Sequence, residues 1–212
     1  MKTVLTIDFD IIMEPNLPLY NDLVPGQSWE NLLKYPQMNT LQINAGHYEK
    51  LTTLIDVLSN KEDIPIYFID NHDQVVKYTK DFEKFNLINI DHHHDLGYHK
   101  DEDINEINCS NWVKQLYKQD KINEYTWVNN TMSCYPEEDN VKELLTYDIS
   151  LEMYSIDLMP VPDMVIICLS PPWVPPYYLP LFTTWLRLVS LHRHQMIDID
   201  HGVFENEKNI DN

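Results

Sequence analysis

Cations are scarce in this chain: 15 lysines and arginines face 34 aspartates and glutamates across 212 residues, a formal charge of −19 at pH 7. A field of that sign repels nucleic acid and anionic membranes and attracts divalent metals or basic substrates, although much of it also serves solubility. Cysteine is scarce too. Cys109, Cys134 and Cys168 are too few and too scattered for a disulfide framework, and no pair has metal-knuckle spacing. Long apolar runs are missing: no stretch could span a bilayer, and the start, Met1 to Asp8, turns acidic before a secretory apolar region develops. These absences predict a reduced, cytoplasmic protein with no membrane or nucleic-acid partner. Sequons at Asn108 and Asn129 have no use there. With no internal repeat and no linker, the length predicts a single domain over residues 1–212, the tail after about residue 202 frayed.

What is present is a packed core, 43% of residues being hydrophobic and 11% aromatic. Three apolar stretches read as strands of a parallel sheet buried on both faces: Thr3 to Ile12, Ile64 to Ile69, and Leu87 to Ile90. Helical sequence follows the later two, Val75 to Phe82 after one and a start near Trp112, capped by Ser110 or Asn111, after the other. Asn44 to Asn60 is a helix with Asn44 as N-cap and Leu51, Leu54, Ile55 and Leu58 on one face. Further on come a strand at Tyr125 to Asn129, a short acidic helix at Glu138 to Tyr147, strand character from Ile149 to Leu158, an interior strand from Met164 to Leu169, and a helix from Leu179 to Leu191. Pro15 to Pro36 reads as a loop with a short helix near Trp29. Ser170 to Tyr178, rich in proline and aromatics, reads as a stiff extended segment that walls a pocket. The alternation is that of an α/β protein.

Chemistry gathers where the first three strands end. The first carries Asp8 and Asp10, two carboxylates on one side of a buried strand, a costly pairing unless a cation lies between them. His72 follows the second. After the third comes Asp91-His92-His93-His94-Asp95, in which Asp91, His93 and Asp95 alternate as an extended chain would aim them at one target. Ligands bind at the carboxyl ends of parallel strands. Oxygen and imidazole donors without thiolate suit manganese or iron better than structural zinc. Four aspartates and two histidines suffice for two divalent ions that share one hydroxide, a nucleophile at neutral pH. Asp157 is a reserve ligand, and Asp198, Asp200 and His201 form a looser, solvated cluster.

Asp91-x-His93-x-Asp95 resembles the ligand motif of the ureohydrolases, the arginase group, and Thr6-Ile7-Asp8-Phe9-Asp10 with Pro15 resembles their second hallmark, Ser-x-Asp-x-Asp. His72 resembles their lone upstream histidine. The order of the motifs departs from ordinary arginases, where the Ser-x-Asp-x-Asp strand comes later, and the chain is shorter. Through Ile7-Asp8-Phe9-Asp10, Met13-Glu14-Pro15, Ala45-Gly46-His47-Tyr48, Asn71-His72-Asp73, Ile90 to Asp95 and Asn111-Trp112 it is similar to a compact, rearranged branch: peptide arginases that convert arginine side chains of ribosomal precursor peptides to ornithine. That resemblance implies a three-layer arginase-like α/β fold with a mainly parallel central sheet. It implies two manganese ions (Mn2+) on Asp8, Asp10, His72, Asp91, His93 and Asp95, with Asp8 and Asp91 bridging. It also implies an arginine-containing precursor peptide as partner and urea as product. Asp95, His47 and His94 are the candidate catalytic side chains, the histidines as proton shuttles. No counterpart of the loop by which arginases recognise the free amino acid is visible, which favours a peptide.

A second resemblance, through Asp91-His92-His93 and the paired Asp8 and Asp10, is to the manganese phosphoesterases with an Asp-His-His signature. The histidine that precedes their early aspartates is absent here, and −19 suits a polyanion poorly. A metal-binding module without catalysis is the third possibility.

Overall fold

The computed structural model describes residues 1–14, 42–97, 106–130, 133, 142–171 and 173–192. The strands are Lys2–Asp8 (β1), Met13–Glu14 (β2), Gln42–Ile43 (β3), Ile66–Ile69 (β4), Phe85–Ile90 (β5), Ile122–Asn129 (β6), Tyr147–Ser150 (β7) and Met164–Cys168 (β8). The helices are Ala45–Ser59 (α1), Val75–Thr79 (α2), Trp112–Lys118 (α3) and Leu179–His192 (α4). Six strands form one sheet in the order β4-β8-β1-β5-β6-β7, every neighbouring pair parallel, while β2 and β3 make a small antiparallel pair. All six carboxyl ends therefore meet one edge.

Apolar side chains on both faces of the strands make two cores, as a parallel sheet covered on both sides requires. On one face Leu5, Ile7, Ile88, Ile90, Val165 and Ile167 pack under α1 and α4. On the other Val4, Leu87, Tyr125, Trp127 and Ile166 pack under α2 and α3. The arrangement is a three-layer α/β one. Phe9 wedges between the first core's helices, its ring 5.3 Å from Phe182 and 4.9 Å from Trp185.

Asn44 caps α1 as its position predicts, its side-chain oxygen accepting the amide of His47 at 2.9 Å, and Leu51, Leu54, Ile55 and Leu58 are all buried. Four expectations need correction. β1 stops at Asp8, and Phe9–Ile12 winds into a 3-10 turn after Asp8 accepts the amide of Asp10. α2 ends at Thr79 and not Phe82, because Lys121 draws the carbonyls of Lys80 and Phe82 to its ammonium at 2.6 and 3.2 Å. The strand expected over Ile149 to Leu158 breaks after Ser150: Lys50 binds the carbonyls of Leu151 and Tyr154, each at 2.6 Å, and folds the chain over. Ser170 to Tyr178 does not run extended either. Trp173 and Val174 both donate backbone N–H to the Ser170 carbonyl in a tight turn, and Pro176–Tyr178 is a 3-10 turn.

The helix near Trp29, most of the acidic helix from Glu138, Cys134 and the cluster of Asp198, Asp200 and His201 lie outside the described residues. No helix among the described residues is long and apolar enough to cross a membrane.

Candidate metal centre

Three strands, β4, β1 and β5, deliver the predicted ligands to one place, with β8 lying between β4 and β1. Asp8 ends β1, Asp10 sits in the turn behind it, His72 opens the 3-10 turn after β4, and Asp91, His93 and Asp95 follow β5. Their ligand atoms fall into two groups that share one residue: Asp8, His72 and Asp91 in one, Asp10, Asp91 and His93 in the other, the atoms of each within 4.8 Å of one another. Either group could hold a metal ion. Asp95 joins the first, since its Oδ2 is 3.1 Å from His72 Nδ1.

The spacing is that of ligands around a centre. His72 Nδ1 lies 2.9 Å from Asp91 Oδ2, 3.1 Å from Asp95 Oδ2 and 3.3 Å from Asp8 Oδ2. His93 Nδ1 lies 3.1 Å from Asp10 Oδ2 and 3.7 Å from Asp91 Oδ1. Two ligands at right angles on one ion, each about 2.1 Å from it, stand about 3 Å apart. Both ring nitrogens of His72 and both carboxylate oxygens of Asp10 are buried yet make no hydrogen bond of ordinary geometry. Buried polar atoms rarely go unsatisfied, and a nitrogen crowded by three carboxylates without being aimed at any of them suits coordination to a cation. The donor set therefore fits a divalent metal.

Electrostatics agree. Burial, with the charges of Asp10 and Asp91 beside it, pushes the Asp8 carboxyl well above the usual range. Burial also raises Asp10, against the pull of His93, and with Asp91 it lifts Asp95 to about 7. Asp91 is the exception: burial acts to raise it, but the two imidazoles beside it prevail and hold it below the carboxylate range. Burial opposes charge on His72 and His93, yet Asp91 and Asp95 around the first, and Asp10 and Asp91 around the second, raise both well above the ordinary imidazole value. Four carboxylates so close together in a dry site need positive charge, and protons supply it until a cation does.

The ligands are placed by a route other than simple alternation. β5 ends at Ile90, so Asp91, His93 and Asp95 lie on an irregular loop. Asp95 reaches His72 only by adopting a left-handed backbone, φ 53°. Trp112 donates its indole N–H to Asp95 Oδ2 at 2.5 Å, and the Val113 amide donates to the Asp95 carbonyl at 3.2 Å, so the start of α3 holds that conformation. Asn89 donates to Asp91 Oδ2 at 3.2 Å and is itself held by Thr6 across β1 and β5. Ser170, also left-handed at φ 50°, donates its hydroxyl to Asp8 Oδ2.

Sequence reasoning missed these supports. Asn89 carried a signal, a polar residue on an apolar strand two positions before Asp91. Ser170 carried a fainter one, its place just after the strand beside β1.

The remaining candidates separate. His47 belongs to neither ligand group; its Nε2 pairs with Glu152 Oε1 at 2.8 Å and its Nδ1 is buried without a hydrogen bond. His94 is packed edge-on against Trp127, accepts the Leu96 amide on Nδ1 at 3.0 Å, and is pushed down to about 3 by burial and by His93, so it is neutral. His92, likewise down at about 3 through burial and His93, pairs with Asn130 at 3.2 Å. Asp157 is exposed in a 3-10 turn between β7 and β8, outside both groups. Compared with protein-family models, with curated proteins and with solved structures, the chain finds no match.

Proposed function

We propose that this chain is a binuclear manganese hydrolase of the arginase kind, which converts arginine side chains of a precursor peptide to ornithine and releases urea. The observation that carries the reading is Asp91. It turns Oδ2 to His72 and Oδ1 to His93, and so belongs to both ligand groups, as a carboxylate bridging two ions does. His72, Asp91, Asp95 and Asp8 form one ligand set and His93, Asp91 and Asp10 the other; of the two bridges that the motif resemblance implies, Asp91 belongs to both groups and Asp8 to one. Two divalent ions held there would supply a water acidified to hydroxide at neutral pH.

The chain's own groups do the rest. A guanidinium is always charged and forks toward carboxylates, and an acidic protein with a carboxylate-rich site suits it. The shuttle role passes to His47 and away from His94. His47 pairs with the Glu152 carboxylate and is the candidate that remains, whereas His94, near 3, stays neutral across the working range. The balanced reaction adds one water: the bond from the side-chain nitrogen to the guanidinium carbon breaks, the nitrogen leaves as a primary amine with a proton, and the carbon leaves as urea.

The test is purified protein with manganese and an arginine-containing peptide. A mass loss of one cyanamide unit with stoichiometric urea is expected. Cleavage of a phosphodiester without urea would sink the reading, and metal binding with neither activity would leave a binding module.

A further inference from the structure

Five of the six ligand residues, Asp8, Asp10, His72, Asp91 and Asp95, are sealed from solvent, and His93 alone is partly open, its side chain 20% exposed. The cluster is therefore reached past His93. Trp173 stands there, its indole centroid 5.0 Å from the imidazole and tilted 46° to it. We propose that Trp173 is a specificity-determining residue, an aromatic platform at the mouth of the centre on which a flat cationic group of the substrate stacks; the inference rests on the hydrolase reading given above.

Three observations support that role. Trp173 is only partly buried, whereas its neighbours Val174 and Pro175 are buried and anchor it. Its backbone is fixed by the Ser170 turn, with Trp173 N–H to the Ser170 carbonyl at 2.9 Å and Val174 N–H to the same oxygen at 3.1 Å. The turn is in turn tied to the centre, because Ser170 donates its hydroxyl to Asp8. A rigid ring loses little freedom when a ligand settles on it. Indole is also the best aromatic face for a cation, and a planar guanidinium both stacks on it and keeps its N–H groups free for carboxylates. An anionic substrate would meet the negative face of the ring as well as the aspartates, so the platform selects by charge and by flatness.

Binding is read in chelator-treated protein, which cannot turn over, by calorimetry with an arginine-containing peptide and its neutral, flat citrulline counterpart. The unaltered protein should prefer arginine. Trp173→Leu should narrow that preference by roughly three- to thirty-fold, the range of a cation on an aromatic face, and Trp173→Phe should keep most of it. In manganese-loaded protein the Leu variant should raise KM by a similar factor with kcat and metal content little changed. Equal preference in the Leu variant and the unaltered protein, both melting alike, overturns the inference even if urea is released. If no urea forms but the Trp173-dependent preference persists, the hydrolase reading fails and the platform stands.

Discussion

His72 Nδ1 lies 2.9 Å from Asp91 Oδ2, at the distance of a hydrogen bond but without the direction of one. The pair is placed as two ligands of one ion would be. Asp91→Ala should therefore abolish binding in both groups at once, leaving less than one-tenth of the metal by elemental analysis. His47→Ala should retain full metal while lowering kcat by about 10²- to 10⁴-fold, as loss of a general acid–base group does. Metal retained by the Asp91 variant would refute the shared-ligand geometry.

The supports around the ligands should matter nearly as much as the ligands. Trp112→Phe keeps a ring in the core but removes the indole N–H from Asp95, and Ser170→Ala removes the hydroxyl from Asp8. Each is expected to weaken metal binding by about 10- to 100-fold. Competition with a chelator of known affinity measures it, and unchanged affinity in both would mean that the left-handed backbone at Asp95 and Ser170 holds without these bonds.

Acidity of the cluster predicts an unusual stability profile for metal-free protein. Asp8, Asp10 and Asp95 have raised carboxyl pKa values in the fold, so their contribution is complete below the unfolded carboxylate range and is lost as pH climbs through the folded values, near 7 for Asp95. His72 and His93, also raised, contribute fully below the ordinary imidazole value and lose that contribution above it. Asp91 has the opposite sign, and its share is lost only in strong acid. Chelated protein should thus melt progressively lower from about pH 6 to about pH 8, and manganese should restore the loss at the upper end. A profile that rises over that interval contradicts the cluster's electrostatics.

Core and site should separate in the laboratory. Trp185, fully buried on α4 against α1, donates to Thr52 at 2.8 Å and meets the ligand segment through the ring of Phe9. Trp185→Ala should cost about 3–5 kcal/mol by denaturant titration. The fraction that remains folded should carry its full metal complement.

Much of this was legible beforehand, for reasons that particular residues make plain. Ile66–Ile69, Phe85–Ile90 and Met164–Cys168 are short apolar runs with polar punctuation, and burial on both faces leaves them no other role. Asp8, His72 and Asp91 were legible because a parallel sheet sends every carboxyl end to one edge. The geometry inside the edge was not. Asp10 occupies a 3-10 turn capped by the Asp8 side chain, and Asp95 a left-handed residue held by Trp112 across the loop, side-chain contacts which local periodicity does not encode. His94 shows the converse: in a run of three histidines the spacing alone does not say which ring turns inward to Trp127.

β8 lies between β4 and β1 in the sheet although it is the last of the described strands to be made. Asp8 and His72, on either side of it, have no shared wall until Met164–Cys168 slots in and Ser170 closes on Asp8. A chain emerging from the ribosome thus carries all six ligands long before it carries a centre. A product cut short before residue 164 would hold the complete motif set yet have no assembled place for a metal.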